Sequence, residues 1–234
     1  MLIAESMDPE PAERLQKVRQ QISAAEKTSG RKPESTKLVA VSKTHSAERV
    51  RALLDEGQLV FGENRVQEAK EKIPQLPSRL EWHLIGHLQS NKVRVALPLF
   101  SWIHSIDSLD LAADLDRIAN ELGLFPRVLL QVNVAGEGTK FGFSPAKLRS
   151  ELDHLLSFPR LQIQGLMTIP PLAADPENSR RYFITLRQLR DELAAESGVP
   201  LDELSMGMSN DFTVAIEEGA TMVRIGTALF GPRE

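Results

Sequence analysis

Two cations in this sequence stand where apolar residues belong. Lys43 closes the run Leu38-Val39-Ala40-Val41-Ser42-Lys43, and Arg224 interrupts Met222-Val223-Arg224-Ile225. Both runs are too short and too apolar for helices and read as strands buried on both faces. By the two-residue period of a strand, Val39, Val41 and Lys43 share one face, and Met222, Arg224 and Gly226 share another. An amine held among packing residues is pushed toward its neutral, nucleophilic form, which is the form that condenses with a carbonyl to a Schiff base. The competing reading is a strand-end lysine whose ammonium reaches water. A guanidinium inside a bundle of strands needs an acceptor, either a carboxylate in a structural pair or an atom of a ligand. The sequence leaves both questions open.

A second signature is a pair of glycine-containing loops. Gly207-Met208-Ser209-Asn210-Asp211 leads into a helix, and Gly226-Thr227 follows the last strand. Glycine lets backbone amides approach an anion, hydroxyls add donors, and a helix N-terminus adds a favourable dipole. Neither loop matches a P-loop, and glycines also serve simply to turn a chain out of a strand. Asn64 follows the second strand and either donates to a ligand or caps its own helix, capping being favoured by propensity. His83 and His87 have the four-residue spacing of a zinc-binding helix, but Leu84 stands in the glutamate position and the segment reads as strand into loop, so no metal site is expected. His104 and His154 read as isolated structural histidines, and Glu217-Glu218 and Arg180-Arg181 as solvated helix faces. The glycine-rich segment 136–142 reads as a surface loop at the rim.

Composition limits what such residues can serve. In 234 residues, 41% are hydrophobic and 26% charged, as in an ordinary globular protein. A net charge of -4 without a basic stripe gives no counterion-release drive toward nucleic acid. The absence of cysteine excludes disulfides, thiolate catalysis and cysteine-bound metals. Met1-Leu2-Ile3-Ala4-Glu5 lacks the basic start and apolar core of a signal peptide, and no apolar run reaches membrane-spanning length, so a cytoplasmic protein is expected.

The elements that position these residues alternate regularly. An acidic tail over 1–11 is expected to be disordered, and Leu15, Val18, Ile22 and Ala25 stripe a helix stopped by Gly30 and Pro33. Strands are then expected at Lys43, Leu59–Phe61, Glu81–Ile85, Trp102–His104, Val128–Val132, Leu161–Met167, Asp202–Met206 and Thr221–Ile225. Helical stripes separate them, the clearest being Leu111, Leu115, Ile118, Leu122 and Phe183, Leu186, Leu189, Leu193. Eight alternations with short connections favour a single α/β domain over 12–234, a (β/α)8 barrel of the TIM type with an extra N-terminal helix. An open doubly wound sheet is the runner-up. In a barrel the chemistry sits at the C-terminal strand ends and phosphates bind after the last two strands, where both glycine loops fall.

Longer motifs carry a resemblance. Ala40-Val41-Ser42-Lys43-Thr44, Phe61-Gly62-Glu63-Asn64, Trp82-His83-Leu84-Ile85-Gly86, Gly165-Leu166-Met167-Thr168-Ile169-Pro170, Ser205-Met206-Gly207-Met208-Ser209 and Val223-Arg224-Ile225-Gly226-Thr227 occur in order along nearly the whole chain. The sequence resembles the pyridoxal phosphate homeostasis protein family, also described as YggS-like or proline synthase co-transcribed proteins. The resemblance implies a fold-type III barrel like the N-terminal domain of alanine racemase, with pyridoxal 5'-phosphate (PLP) as a covalent aldimine on Lys43. It also implies phosphate contacts from Ser209, Gly226 and Thr227, Arg224 facing the pyridine nitrogen, and Asn64 as a lesser contact. Departures are His45-Ser46 after the lysine motif, where proline is frequent, and Arg65, where tyrosine is frequent.

The implied function is to buffer or deliver PLP in vitamin B6 and amino-acid homeostasis, with PLP-dependent apoenzymes as partners and no catalytic residue. A monomer is expected. The electron-sink chemistry of PLP is fullest when its ring nitrogen is protonated opposite a carboxylate, a role arginine cannot fill. The alternative is an enzyme acting through Lys43, either an amino-acid racemase or a phosphate-substrate lyase. Racemases of this fold use a tyrosine as opposing base, whereas Tyr182, the only tyrosine, falls in a predicted helix.

Overall fold

The computed structural model describes residues 11–138 and 141–231. The tail expected over 1–11 lies outside them except for Pro11, which opens the first helix. Eight parallel strands close into a barrel in sequence order: β1 (Lys37–Val41), β2 (Val60–Glu63), β3 (Glu81–Leu84), β4 (Trp102–Ile106), β5 (Arg127–Gln131), β6 (Gln162–Met167), β7 (Glu203–Ser205) and β8 (Met222–Ile225). The seam is β1 against β8, with Lys37 level with Met222 and Val39 level with Arg224. This is the expected barrel, with most strand ends shifted by one or two residues.

The helices are α1 (Pro11–Thr28), α2 (Ala47–Asp55), α3 (Val66–Lys72), α4 (Val93–Ala96), α5 (Leu109–Leu122), α6 (Pro145–Leu156), α7 (Glu177–Ser197), α8 (Phe212–Glu217) and α9 (Thr227–Phe230). Their ends follow local chemistry. Ser108 and Ser144 accept the amides of Leu111 and Lys147 as N-caps of α5 and α6, and Gly123 closes α5 in the left-handed conformation. The extra helix α1 packs beside α8 and α9 across the seam. Its buried Glu26 accepts the amides of Thr36 (2.7 Å) and Glu34 (3.0 Å), fixing the approach to β1.

The core is divided by the barrel wall. The larger part, including the α7 stripe Phe183, Leu186, Leu189 and Leu193, fills the shell between strands and helices. Each such side chain contributes about 1.5–3 kcal/mol by leaving water. A small interior cluster of Val39, Trp102, Leu129, Met167 and Met222 plugs the barrel itself. No helix among the described residues is long and apolar enough to cross a membrane.

Candidate functional site

A cavity of about 590 Å³ opens at the C-terminal ends of the strands, within the size range of cofactor sites. All six residues singled out from sequence line it: Lys43, Asn64, Ser209, Arg224, Gly226 and Thr227. Its apolar walls include Val41, Ile85 and Ile169, and Leu172 stands 91% exposed at its rim. Lys43 lies two residues beyond β1 in a turn closed by the His45 amide on the Ser42 carbonyl (3.1 Å). Its amine is therefore carried by a turn and not by the strand, while it shares the cavity with Val41 as the alternation predicts.

Asn64 does not cap α3, contrary to the reading from propensity. Arg65 occupies the N-cap position without a side-chain bond, and Asn64 Oδ1 is buried with no hydrogen-bond partner. A buried, unpartnered amide oxygen bordering a cavity costs about 1–3 kcal/mol unless a ligand satisfies it. Capping propensity describes isolated helices; here the chain entering α3 is held by the barrel, with Asn64 backbone packed at the position where a Cβ on Gly86 would collide with it.

The two glycine loops are tied to each other. Asp211 accepts the Met208 amide (2.7 Å), closing the first loop, and Ser209 Oγ accepts the Ala228 amide (3.3 Å) from the second. Gly207 has φ +92°, and a Cβ there would lie 2.6 Å from that of Ala215, so the close turn over α8 requires glycine. The short helix α9, which periodicity did not reveal, begins directly at Thr227. Amides and hydroxyls of both loops thus border one corner of the cavity.

Arg224 resolves the question of its acceptor in an unexpected way. It donates to Ser205 Oγ (2.6 Å) and to the Thr168 carbonyl (2.8 Å), and it makes no ion pair among the described residues. Burial lowers its pKa to about 10, so it remains cationic near neutrality. Behind it runs a file of polar groups through the barrel: Ser205 Oγ to His104 Nδ1 (2.9 Å), His104 Nε2 to His83 Nδ1 (2.8 Å), and His83 Nε2 to Glu81 (2.7 Å). His104 is thus a link in a network and not isolated. The hydrogens have one consistent direction: Arg224 can only donate and the Glu81 carboxylate can only accept, so Ser205, His104 and His83 each pass one hydrogen along. Bonds from His83 and then Lys37 hold Glu81 at about 2, while burial pushes His83 down and His104 well down. Both imidazoles are therefore neutral.

Of the remaining histidines, His45 lines the cavity and stacks on Phe230 (centroids 4.6 Å), while the other two lie elsewhere. His87 pairs with Asp107 (2.9 Å) and stacks on Phe141, and His154 stacks on Phe158. Within the segment 136–142, residues 139 and 140 lie outside the described residues. Tyr182 sits on the outer helix α7 and receives a bond from Arg181 (2.7 Å). Glu217 and Glu218 are ion-paired to Arg180, an α7–α8 link where solvated faces were expected.

The cavity therefore offers an amine, a guanidinium, an orphaned amide oxygen and two linked glycine loops, a set of donors and one acceptor that fits a phosphorylated aldehyde with a heterocyclic ring. Residues 14–234 match the family model described as alanine racemase, N-terminal domain. A pyridoxal phosphate homeostasis protein of Aquifex aeolicus is 47% identical over 95% of this chain and 98% of its own. The structure of PipY from Synechococcus elongatus without PLP superposes with TM-score 0.86 at 46% identity, covering 94% of this chain and 99% of that one. The PLP-bound structure of PipY gives TM-score 0.83 at 45% identity over 94% of this chain and 100% of that one. With relatives this close over nearly their whole length, the chain belongs to the pyridoxal phosphate homeostasis protein family.

Proposed function

We propose that this protein binds pyridoxal 5'-phosphate and buffers or delivers it to PLP-dependent apoenzymes, in vitamin B6 and amino-acid homeostasis. The carrying observation is the convergence of Lys43, Arg224 and both anion loops on one cavity, and the PLP-bound structure of PipY supports the reading. In it, residues 12–234 act as one cofactor-binding unit, a cytoplasmic monomer. When bound, the cofactor would supply an aldehyde, and Lys43 would be the amine placed to condense with it. Ser209, Thr227 and the Gly226 backbone hold the phosphate, and Asn64 meets a polar group of the ligand.

Arg224 favours a carrier over a catalyst. A cationic donor facing the pyridine nitrogen keeps that nitrogen unprotonated, which withholds the charge that would stabilise a carbanion. Tyr182, on the far side of the helical layer, is not among the residues lining the cavity and offers no opposing base there. The test is spectroscopic. Purified protein loaded with PLP is expected to show a borohydride-reducible band that Lys43→Ala removes. A full-strength reducible band on that variant would refute the assignment of Lys43, and rapid loss of the α-deuteron from labelled alanine by the parent protein would refute the carrier reading.

A further inference from the structure

The residues that flank Lys43 are gripped from the side away from the cavity. Lys72, at the end of α3, directs its ammonium to the Ser42 carbonyl (2.8 Å), Glu63 Oε1 (2.6 Å) and Glu68 Oε1 (3.1 Å), a complete set for three N–H donors. Ser42 Oγ adds a bond to the same Glu63 oxygen (2.6 Å), and the Thr44 amide donates to Glu68 Oε1. Ser42 and Glu63 are fully buried and Lys72 is 6% exposed. Both neighbours of Lys43 are therefore bound by one charged cluster, and neither Lys72, Glu63 nor Glu68 lines the cavity.

The grip has a backbone counterpart. Thr44 adopts φ +66°, a left-handed conformation that costs a β-branched residue about 1–2 kcal/mol. Such a conformation persists only where surroundings over-determine it. Here the over-determination comes from charge-assisted bonds on both sides of Lys43, which are about twice as strong as neutral ones. A lysine has four flexible side-chain torsions, so the position of its amine depends on how firmly its Cα is held.

Resting on the PLP-binding reading, we propose that Lys72, Glu63 and Glu68 form a positioning clamp. It fixes the turn so that Lys43 Nζ meets the aldehyde carbon at bonding distance, and it governs covalent capture without contributing to phosphate or ring binding. The clamp cannot use arginine in place of Lys72, because a planar fork does not reproduce three converging donors.

Two ligands separate this role from a general structural one: PLP, and pyridoxine 5'-phosphate, which keeps ring and phosphate but has no aldehyde. Glu68 is the most exposed member of the clamp, with its side chain 24% exposed. Glu68→Ala is expected to slow borohydride-trapped loading of PLP at least tenfold while changing the Kd for pyridoxine 5'-phosphate less than twofold. Glu68→Gln, which keeps both acceptor contacts, is expected to restore most of the rate. Lys72→Met is expected to slow capture further, and its urea midpoint reports whether folding contributes. An unchanged capture rate in Glu68→Ala, or parallel losses for both ligands, would overturn the clamp. Failure of the parent protein to trap any PLP would instead overturn the reading on which it rests.

Discussion

Lys72 and Arg224 are buried cations near the same end of one barrel, 6% and 3% exposed, and they are held in opposite ways. Lys72, outside the wall of strands, meets two carboxylates and a carbonyl. Arg224, inside the barrel, meets a hydroxyl and a carbonyl, and its coupling to Glu81 passes through three neutral groups. A cation neutralised at contact is fully committed to the fold. One compensated by dipoles keeps an unspent demand for an acceptor, and Arg224 borders the cavity. The cluster at Lys72 thus organises backbone, while the file behind Arg224 organises a side chain that borders the cavity.

Breaking the first arrangement is expected to cost most. Lys72→Met leaves Glu63 buried without its cation and should destabilise the protein by about 3–5 kcal/mol in urea denaturation. Adding Glu63→Gln removes the stranded charge and should recover a large part of the loss. An equal or larger loss in the double variant would show that the contacts, not the charge balance, dominate.

The interior file should yield a smaller loss with a distinctive pH dependence. His104→Phe removes two neutral bonds and is expected to cost about 1–3 kcal/mol at pH 7. Both file imidazoles are neutral in the fold, whereas histidine in the unfolded chain gains a proton near pH 6.5. The unfolded state then binds more protons as pH falls, so stability declines below pH 6.5. His104→Phe should flatten that decline between pH 6.5 and 5, measured as urea midpoints across the range.

The smallest effect is expected at the far end of the file. Glu81→Gln keeps an acceptor for His83 but removes a charge that is 29% exposed, and should cost about 1 kcal/mol or less near neutrality. The Glu81 pKa is depressed to about 2, so its stabilisation is present above the ordinary carboxylate range and lost as pH falls through about 2. The variant should lack that acid-labile component, and retention of the full acid slope would place its origin elsewhere.

Positions were legible in the sequence; partners were not. Period-two alternation placed Lys43 with Val41 and Arg224 with Met222, because strand geometry is local. It gave no sign that His104 meets Ser205, 101 residues away, or that Lys72 meets Ser42, 30 residues away. Lys72 draws no reading from the sequence and Glu63 appears only within a motif, since nothing in their neighbours marks them as buried. Capping propensity misplaces Asn64 because the competing cause, chain entry from the barrel rim, is tertiary. The four-residue helix α9 is too short for a hydrophobic period to register.

Trp102 gives the barrel an optical consequence. Its indole lies in the interior plug between the cations of Lys37 (5.4 Å) and Arg127 (5.0 Å), with Nε1 buried and unpartnered. The chain's other tryptophan, Trp82, is equally buried but lies outside the barrel in the helical shell. A Trp82→Phe protein therefore has one tryptophan emitter, enclosed by the same strands that end at the cavity. A pyridoxal chromophore absorbs in the near ultraviolet where indole emits, so its binding is expected to quench Trp102 by energy transfer and its release to restore the light. On the proposed function, the protein would carry its own gauge of occupancy, and transfer of cofactor to an acceptor could be followed in real time without a label.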